Sequence, residues 1–305
     1  MNLAGVMLGC LLNVVTVLVL APAGEGLWRK VTARIQSRQG PPLGQPYYDL
    51  LKLLGKEDIE SGTAPRMQRF AVCLSLATVL AVSCLIPLGY AAPLNGAGDI
   101  MLLIYLLTLA GVGTLLAGLA AGSTYSLLGV SREMMAMITL EPLFAVALVL
   151  GSVQTGSFRL DSVLAGSVYV KGVTVSGAIM LLVMLFSFQA FVQRVPFDMA
   201  EAETELMAGA LLEYSGPKLA LFKYAQSARL LVHSALFVTL FLPWGGDLPF
   251  PLGWLCFWAK VGVVVLAATV VGATHARYRV DKALRYFAGL LAVALLALGL
   301  ASYGY

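Results

Sequence analysis

Carboxylates are unevenly spread along this chain. Of its 16 acidic residues, Asp198, Glu201, Glu203, Glu205 and Glu213 all fall between Arg194 and Gly216. Like charges this close disfavour simultaneous ionisation, so some members of the group are expected to hold a proton near neutral pH and to exchange it. If the segment is helical, Asp198, Glu201 and Glu205 share one face at i, i+3 and i+7, and Glu203 turns away. A solvated acidic loop is the alternative reading. Against it, Pro196-Phe197 and Leu206-Met207 interleave the charges with apolar anchors that such a loop does not need. Lys218, Lys223 and Arg229 follow in sequence as candidate counter-charges.

A second carboxylate stands apart. Glu141 lies about two helical turns beyond Glu133, inside an apolar run. A carboxylate in that setting either pairs with an arginine or takes up a proton. The expectation is that Glu141 belongs to a proton path, with structural pairing as the alternative. Bond-making chemistry is not expected anywhere in the chain. Cys10, Cys73, Cys84 and Cys256 are scattered through apolar segments without a CxxC spacing, and His233 and His275 stand alone. No metal, Fe–S cluster, haem or other cofactor is therefore expected in this chain, and no catalytic residue.

The elements that must hold these groups are membrane helices. The chain is 59% hydrophobic and 12% charged, against about 25% charged residues in a soluble domain. Apolar runs of about 20 residues recur, and no alternating ten-residue pattern of a β-barrel is visible. The fold class is all-α: a polytopic integral membrane protein, read as one transmembrane domain over residues 1–305. Spans are expected at about 3–24, 69–90, 100–122, 134–153, 172–193, 220–242, 252–274 and 285–303, eight in all. The first run lacks a basic n-region and a cleavage site, so it reads as a retained helix.

Lys and Arg concentrate in the loops at about 25–68, 123–133, 194–219 and 275–284, whereas the opposite loops carry only Arg159 and Lys171. The positive-inside rule makes the heavily basic, motif-bearing side cytoplasmic and puts both termini outside. This charge pattern orients a membrane protein and does not indicate nucleic acid. In the first loop, Gly40-Pro41-Pro42 forces a turn and Pro46 suits a helix start. Tyr47, Leu50, Leu51 and Leu54 then fall on one face, with Asp49, Lys52 and Lys56 elsewhere, giving an amphipathic surface helix. It is either a lipid anchor or a platform for a soluble subunit. Arg34, Arg38 and the turn are more than an anchor requires. The last basic loop, with Arg277 and Arg279, serves topology or contacts a partner or an acidic group.

Several blocks together resemble a known family. Gln-Ser-Arg-Gln-Gly-Pro, Tyr125–Glu141, Arg194–Phe222 and Arg277–Asp281 occur in the order found in subunit 1 of respiratory complex I, its heel subunit. The run Pro-Phe-Asp-x-x-Glu-x-Glu-x-Glu-Leu…Glu-Tyr-Ser-Gly is long and specific. The first loop is shorter than the complex I pattern, and Pro-Lys-Leu-Ala-Leu-Phe-Lys-Tyr-Ala-Gln follows the Glu-Tyr-Ser-Gly block. Both details resemble the homologous subunit of membrane-bound, energy-converting NiFe hydrogenases, formate hydrogenlyase included. That resemblance implies a non-redox subunit in a prokaryotic cytoplasmic membrane, part of a hetero-oligomer. Its partners would be the hydrogenase large and small subunits, an Fe–S subunit and antiporter-like membrane subunits, with the Ni–Fe centre and Fe–S clusters held by partners. Glu141, Asp198, Glu201, Glu203, Glu205 and Glu213 match the family's charged axis. Arg34, Arg38, Asp49, Lys52, Arg132, Lys218, Lys223, Arg277 and Arg279 would serve docking or counter-charge. The expected function is coupling of hydrogenase chemistry to H⁺ or Na⁺ translocation. The alternatives are a quinone-site subunit of a complex I-type enzyme, a passive membrane anchor, and an ion transporter acting alone.

Overall fold

The long apolar runs of the sequence become helices because, in hydrocarbon, each backbone N–H and C=O must find its partner within the chain. The computed structural model describes residues 3–59, 64–94, 96–164, 174–245 and 248–304, without the side chains of Glu203 and Thr204. Lys171, part of the charge asymmetry above, lies outside the described residues. In chain order the main helices are α1 (Leu3–Ile35), α2 (Gln45–Leu54), α3 (Pro65–Leu85), α4 (Ile100–Ala121), α5 (Thr124–Thr155), α6 (Val175–Phe191), α7 (Gly216–Phe241), α8 (Leu252–Thr274) and α9 (Val280–Ser302). Helices α1, α3, α4, α5, α8 and α9 are long and apolar enough to cross a membrane. The other two expected spans correspond to α6, which is apolar but shorter, and to α7.

Helix α7 is polar for a structural reason. Its residues from Ala225 to Phe241 are nearly all buried, in contact with α1, α2, α3 and α8. Shielded from lipid, it carries Lys218, Arg229 and Ser234 buried among apolar side chains. A helix facing hydrocarbon could not hold those groups without a partner.

Two loop expectations are corrected. The first span does not end near residue 24. Helix α1 runs on for 33 residues, about 50 Å at 1.5 Å per residue, well beyond a hydrocarbon core of about 30 Å. The interval 123–133 is not a loop. Gly122 closes α4 at φ 70°, and the Ser123 hydroxyl accepts the Ser126 N–H at 3.2 Å as the N-cap of α5. Arg132 and Glu133 are therefore helical, and the turn between α4 and α5 is two residues long. Pro142 sits inside α5, which continues past it, as neighbouring helices permit in a bundle.

The motif-bearing loops gather at one end of the bundle. Lys218 reaches Asp58 at 3.2 Å, Arg132 reaches Glu205 at 2.6 Å, and the Tyr278 N–H donates to the Pro196 carbonyl at 2.9 Å. At the other end, Ile100 N–H donates to Phe158 O at 3.2 Å and Leu160 N–H to Gly98 O at 3.1 Å.

Candidate functional site

The acidic segment is not a helix. Between α6 and α7 the chain turns repeatedly, and its α-helical content is the single turn Glu203–Leu206. Asp198, Glu201 and Glu205 therefore do not share a helical face; each is placed by a different neighbour. The fold of the segment depends on Gly209, which has φ 53°, and whose Cβ, if it had one, would lie 2.0 Å from the Ala200 carbonyl oxygen. Gly209→Ala meets both the left-handed penalty and that overlap, so a loss of about 2 kcal/mol or more is expected. Thermal unfolding of the purified chain checks this, and an unchanged midpoint would show that the segment relaxes around the methyl group.

Side chains from four elements hold the segment. Arg277 Nη2 lies 3.1 Å from Asp198 Oδ2. Phe197 stacks on Tyr278 with ring centroids 5.4 Å apart and on Tyr286 at 5.5 Å. The last basic loop thus clamps the start of the acidic segment through Arg277 and Tyr278. Arg194 donates to Glu25 and lies 5.3 Å over the Trp28 ring. Gln226 of α7 donates to Glu201. Tyr214 anchors the Glu-Tyr-Ser-Gly end by donating to the Ala117 carbonyl of α4 at 2.9 Å.

Burial divides the five acids by role. Glu201 is half-buried, and the loss of water together with Asp198 nearby pushes its carboxyl up to about 7. Glu205 is exposed, and the Arg132 guanidinium bonded to it holds its carboxyl below the usual range. Glu213 is half-buried beside Tyr214. The side chain of Glu203 lies outside the described residues. Folded protein thus holds the Glu201 proton more tightly than unfolded chain does. The stability this contributes is complete below pH about 4.5 and is lost as pH rises through about 7, by about 3 kcal/mol in total. Melting temperature measured from pH 5 to 8 is expected to fall more steeply in the parent protein than in Glu201→Gln; equal slopes would contradict this.

A deeper cluster lies between α5, α6 and α7. Glu133, 6% exposed, accepts from Gln193 Nε2. Gln193 Oε1 in turn accepts from Arg229 Nη1, and Arg229 Nη2 donates to the Ala110 carbonyl at 3.3 Å. Arg229 is also 6% exposed. Glu141 lies two turns further along α5, partly exposed. His233 is one turn beyond Arg229 on α7, its Nδ1 2.9 Å from the Arg229 carbonyl oxygen.

Three adjoining cavities connect these groups. The largest, about 880 Å³, is lined by Glu25, Arg29, Arg38, Arg194, Glu201 and Lys223 among others. A second of about 230 Å³ shares Arg194, Glu201 and Gln226 with it. A third of about 110 Å³ shares Gln193, Asp198, Glu201 and Arg229 with the second, and is also lined by Glu133, Glu141 and His233. Glu201 and Gln226 border all three. The arrangement brings several carboxyl groups, with glutamine and arginine side chains between them, onto adjoining spaces.

The expected docking residues divide. Arg34, Arg38 and Lys52 are exposed, as is Arg279, which pairs with Asp281 at 3.4 Å. Asp49 is half-buried: Arg29 Nη1 donates to it at 2.8 Å, tying α2 to α1, and Gln45 of its own helix donates at 3.1 Å. On α2, Leu51 and Leu54 are exposed, whereas Tyr47 and Leu50 are half-buried, so the expected apolar face does not act as one surface. Lys218 is buried in its pair with Asp58, and Lys223 is exposed onto the largest cavity.

Glu25 was not foreseen. It is 7% exposed within α1 and binds both Arg29, at 3.2 Å, and Arg194. The i, i+4 spacing of Glu25 and Arg29 was the available signal. Gln193 and Gln226 carry no charge and give no sequence signal of their own.

Similarity to known proteins extends over most of the chain. A family model described as NADH dehydrogenase matches residues 8–302. Hydrogenase-4 component C of Escherichia coli K12 is 34% identical over 238 residues, 77% of this chain and 75% of that one. Formate hydrogenlyase subunit 4 of the same strain is 30% identical over 301 residues, 94% of this chain and 98% of that one. An NADH-quinone oxidoreductase subunit of Syntrophobacter fumaroxidans is 35% identical over 292 residues, 89% of this chain and 87% of that one. A chain of the membrane-bound sulfane sulfur reductase, an archaeal respiratory membrane complex, superimposes with a TM-score of 0.89 at 26% identity, covering 98% of this chain and all of that one.

Proposed function

The chain belongs to the NADH dehydrogenase family of complex I subunit 1, and on that premise we propose that it is the coupling subunit of a hydrogenase-type, energy-converting membrane complex. Membership makes it a membrane subunit of an oxidoreductase complex; the type and the mechanism are our reading. The observation that carries it is the run of ionisable groups lining adjoining cavities, from Glu25 and Arg194 through Glu201 to Glu133, Arg229 and Glu141, of which Glu25, Glu133 and Arg229 are buried and the others half-buried. Burying such groups in a membrane protein is costly, and a passive anchor has no use for them.

The hydrogenase type is supported by the full-length similarity to formate hydrogenlyase subunit 4 and by the larger cavity. Arg29, Arg38, Arg194 and Lys223 line that space, a setting that suits charge relay better than an apolar quinone tail. Partners would be hydrogenase large and small subunits and an Fe–S subunit docked on the cytoplasmic side, where Arg34, Arg38 and Lys52 are exposed. Those partners would hold the Ni–Fe centre and Fe–S clusters. Antiporter-like subunits would sit laterally, and both termini would face outward.

In this mechanism, charge shifted in the docked module changes the protonation of Glu201. The carboxyl groups around the third cavity pass that change to Glu141, and Glu141 passes it to the lateral subunit, which moves H⁺ or Na⁺. Each charge moved against 100 mV costs about 2.3 kcal/mol. Purification of the native complex tests the assignment. The expected result is co-purification of a Ni–Fe large subunit with hydrogen-evolving or hydrogen-oxidising activity. Quinone reduction without hydrogen chemistry would overturn it in favour of the NADH-quinone oxidoreductase type.

A further inference from the structure

The ring of His233 lies on the third cavity, and neither the family's acidic motif nor the mechanism above uses it. We propose that His233 is a proton-carrying residue of this relay, with Nε2 the atom that takes and releases the proton, on the strength of its place on the cavity and its fixed tautomer. This inference rests on the coupling reading of the same site.

The tautomer follows from one contact. Nδ1 lies 2.9 Å from the Arg229 carbonyl oxygen. A carbonyl only accepts, so Nδ1 carries the hydrogen and Nε2 keeps the lone pair. The bond is not needed to satisfy that carbonyl, because the α-helical pattern already supplies it with the N–H four residues on. It serves to set the ring, which Phe191 also holds, with ring centroids 6.5 Å apart and planes 19° from parallel. A side chain needed only to fill this space could be apolar, like Phe191 and Phe144, which line the same cavity. Here the space is given an oriented imidazole.

Every element packed around the cavity contributes a relevant group to it. Glu133 and Glu141 come from α5, Gln193 from the end of α6, Asp198 and Glu201 from the acidic segment, and Arg229 from α7 itself. Thr108 and Thr114 of α4 are the polar lining groups on the remaining side. The step balances as a pure proton transfer. A carboxylic acid on the acidic-segment side gives its proton to Nε2, and the imidazolium so formed releases the same proton from Nε2 to the Glu141 carboxylate. Nδ1 keeps its hydrogen throughout. No electron or other co-reactant is involved.

The test uses the intact complex in sealed vesicles, with redox turnover and proton movement recorded together. In His233→Asn the amide nitrogen stands near Nδ1 and retains a donor for the Arg229 carbonyl, but no titrating nitrogen remains. Turnover is expected to stay within about twofold, while protons moved per turnover fall at least about tenfold. In His233→Ala, added imidazole is expected to restore proton movement through the vacated space. Parent complex that moves neither H⁺ nor Na⁺ would refute the coupling reading itself. Parent complex that moves them, with His233→Asn moving them equally, would refute the role of His233 and leave the coupling reading intact. Failure of both variants to assemble, or a loss in His233→Ala that imidazole does not relieve, assigns the ring a packing role and also overturns the proposal.

Discussion

Replacing Arg229 by methionine is expected to destabilise the chain by about 3–5 kcal/mol, the largest single effect in the molecule. Methionine is close to arginine's stem in length and fills the same apolar track, so the loss comes from charge and hydrogen bonding. Without the guanidinium, Gln193 Oε1 and the Ala110 carbonyl each lose a donor, and buried Glu133 loses the cation that offsets it. Removing one member of a buried pair costs more than removing both. The double variant Arg229→Met/Glu133→Gln should therefore recover much of the stability. Melting of the detergent-purified complex checks both statements. A double variant less stable than the single one would mean that Glu133 and Arg229 are not energetically coupled.

The second large effect is on coupling, and it separates two glutamates that sequence spacing treats alike. Glu201→Gln keeps the side-chain size and an oxygen for the Gln226 amide, but removes the only proton that this position can lose. Its carboxyl titrates near 7, so it changes state within the working range. Loss of ion translocation with assembly intact is expected. Glu205 is exposed and salt-bridged to Arg132 at 2.6 Å, a pair of the kind that contributes about 0–1 kcal/mol. Arg132 keeps Glu205 ionised at neutral pH, so it has no proton to pass on, and Glu205→Gln should leave translocation largely intact. Loss in both variants would indicate that the whole segment acts as one charged unit.

Hydropathy located the membrane helices well, because length and apolarity are what the bilayer demands. The bounds expected for α8, 252–274, coincide with those observed. The turn between α4 and α5 was misplaced because Arg132 and Glu133 looked like loop residues. One is paired with the acidic segment and the other is buried against Gln193, and neither relationship is visible in a linear charge count. The acidic segment was found by composition, but its shape was not. Gly209 and the contacts of Phe197 with Tyr278 and Tyr286 fold it, and those contacts join residues about 80 positions apart. Glu25 was assigned to a loop because the first span was cut at the length of a bilayer, whereas α1 continues beyond it. His233 gave no signal as an isolated histidine, since its place on the cavity that Glu141 also lines exists only in the folded bundle.

Glu201 is the group we propose to couple chemistry in a docked module to ion movement. The most direct measurement is the number of ions translocated per redox turnover in sealed vesicles carrying the assembled complex, parent beside Glu201→Gln. Near-normal turnover with translocation lost is expected in the variant. A variant that moves as many ions per turnover as the parent would contradict it.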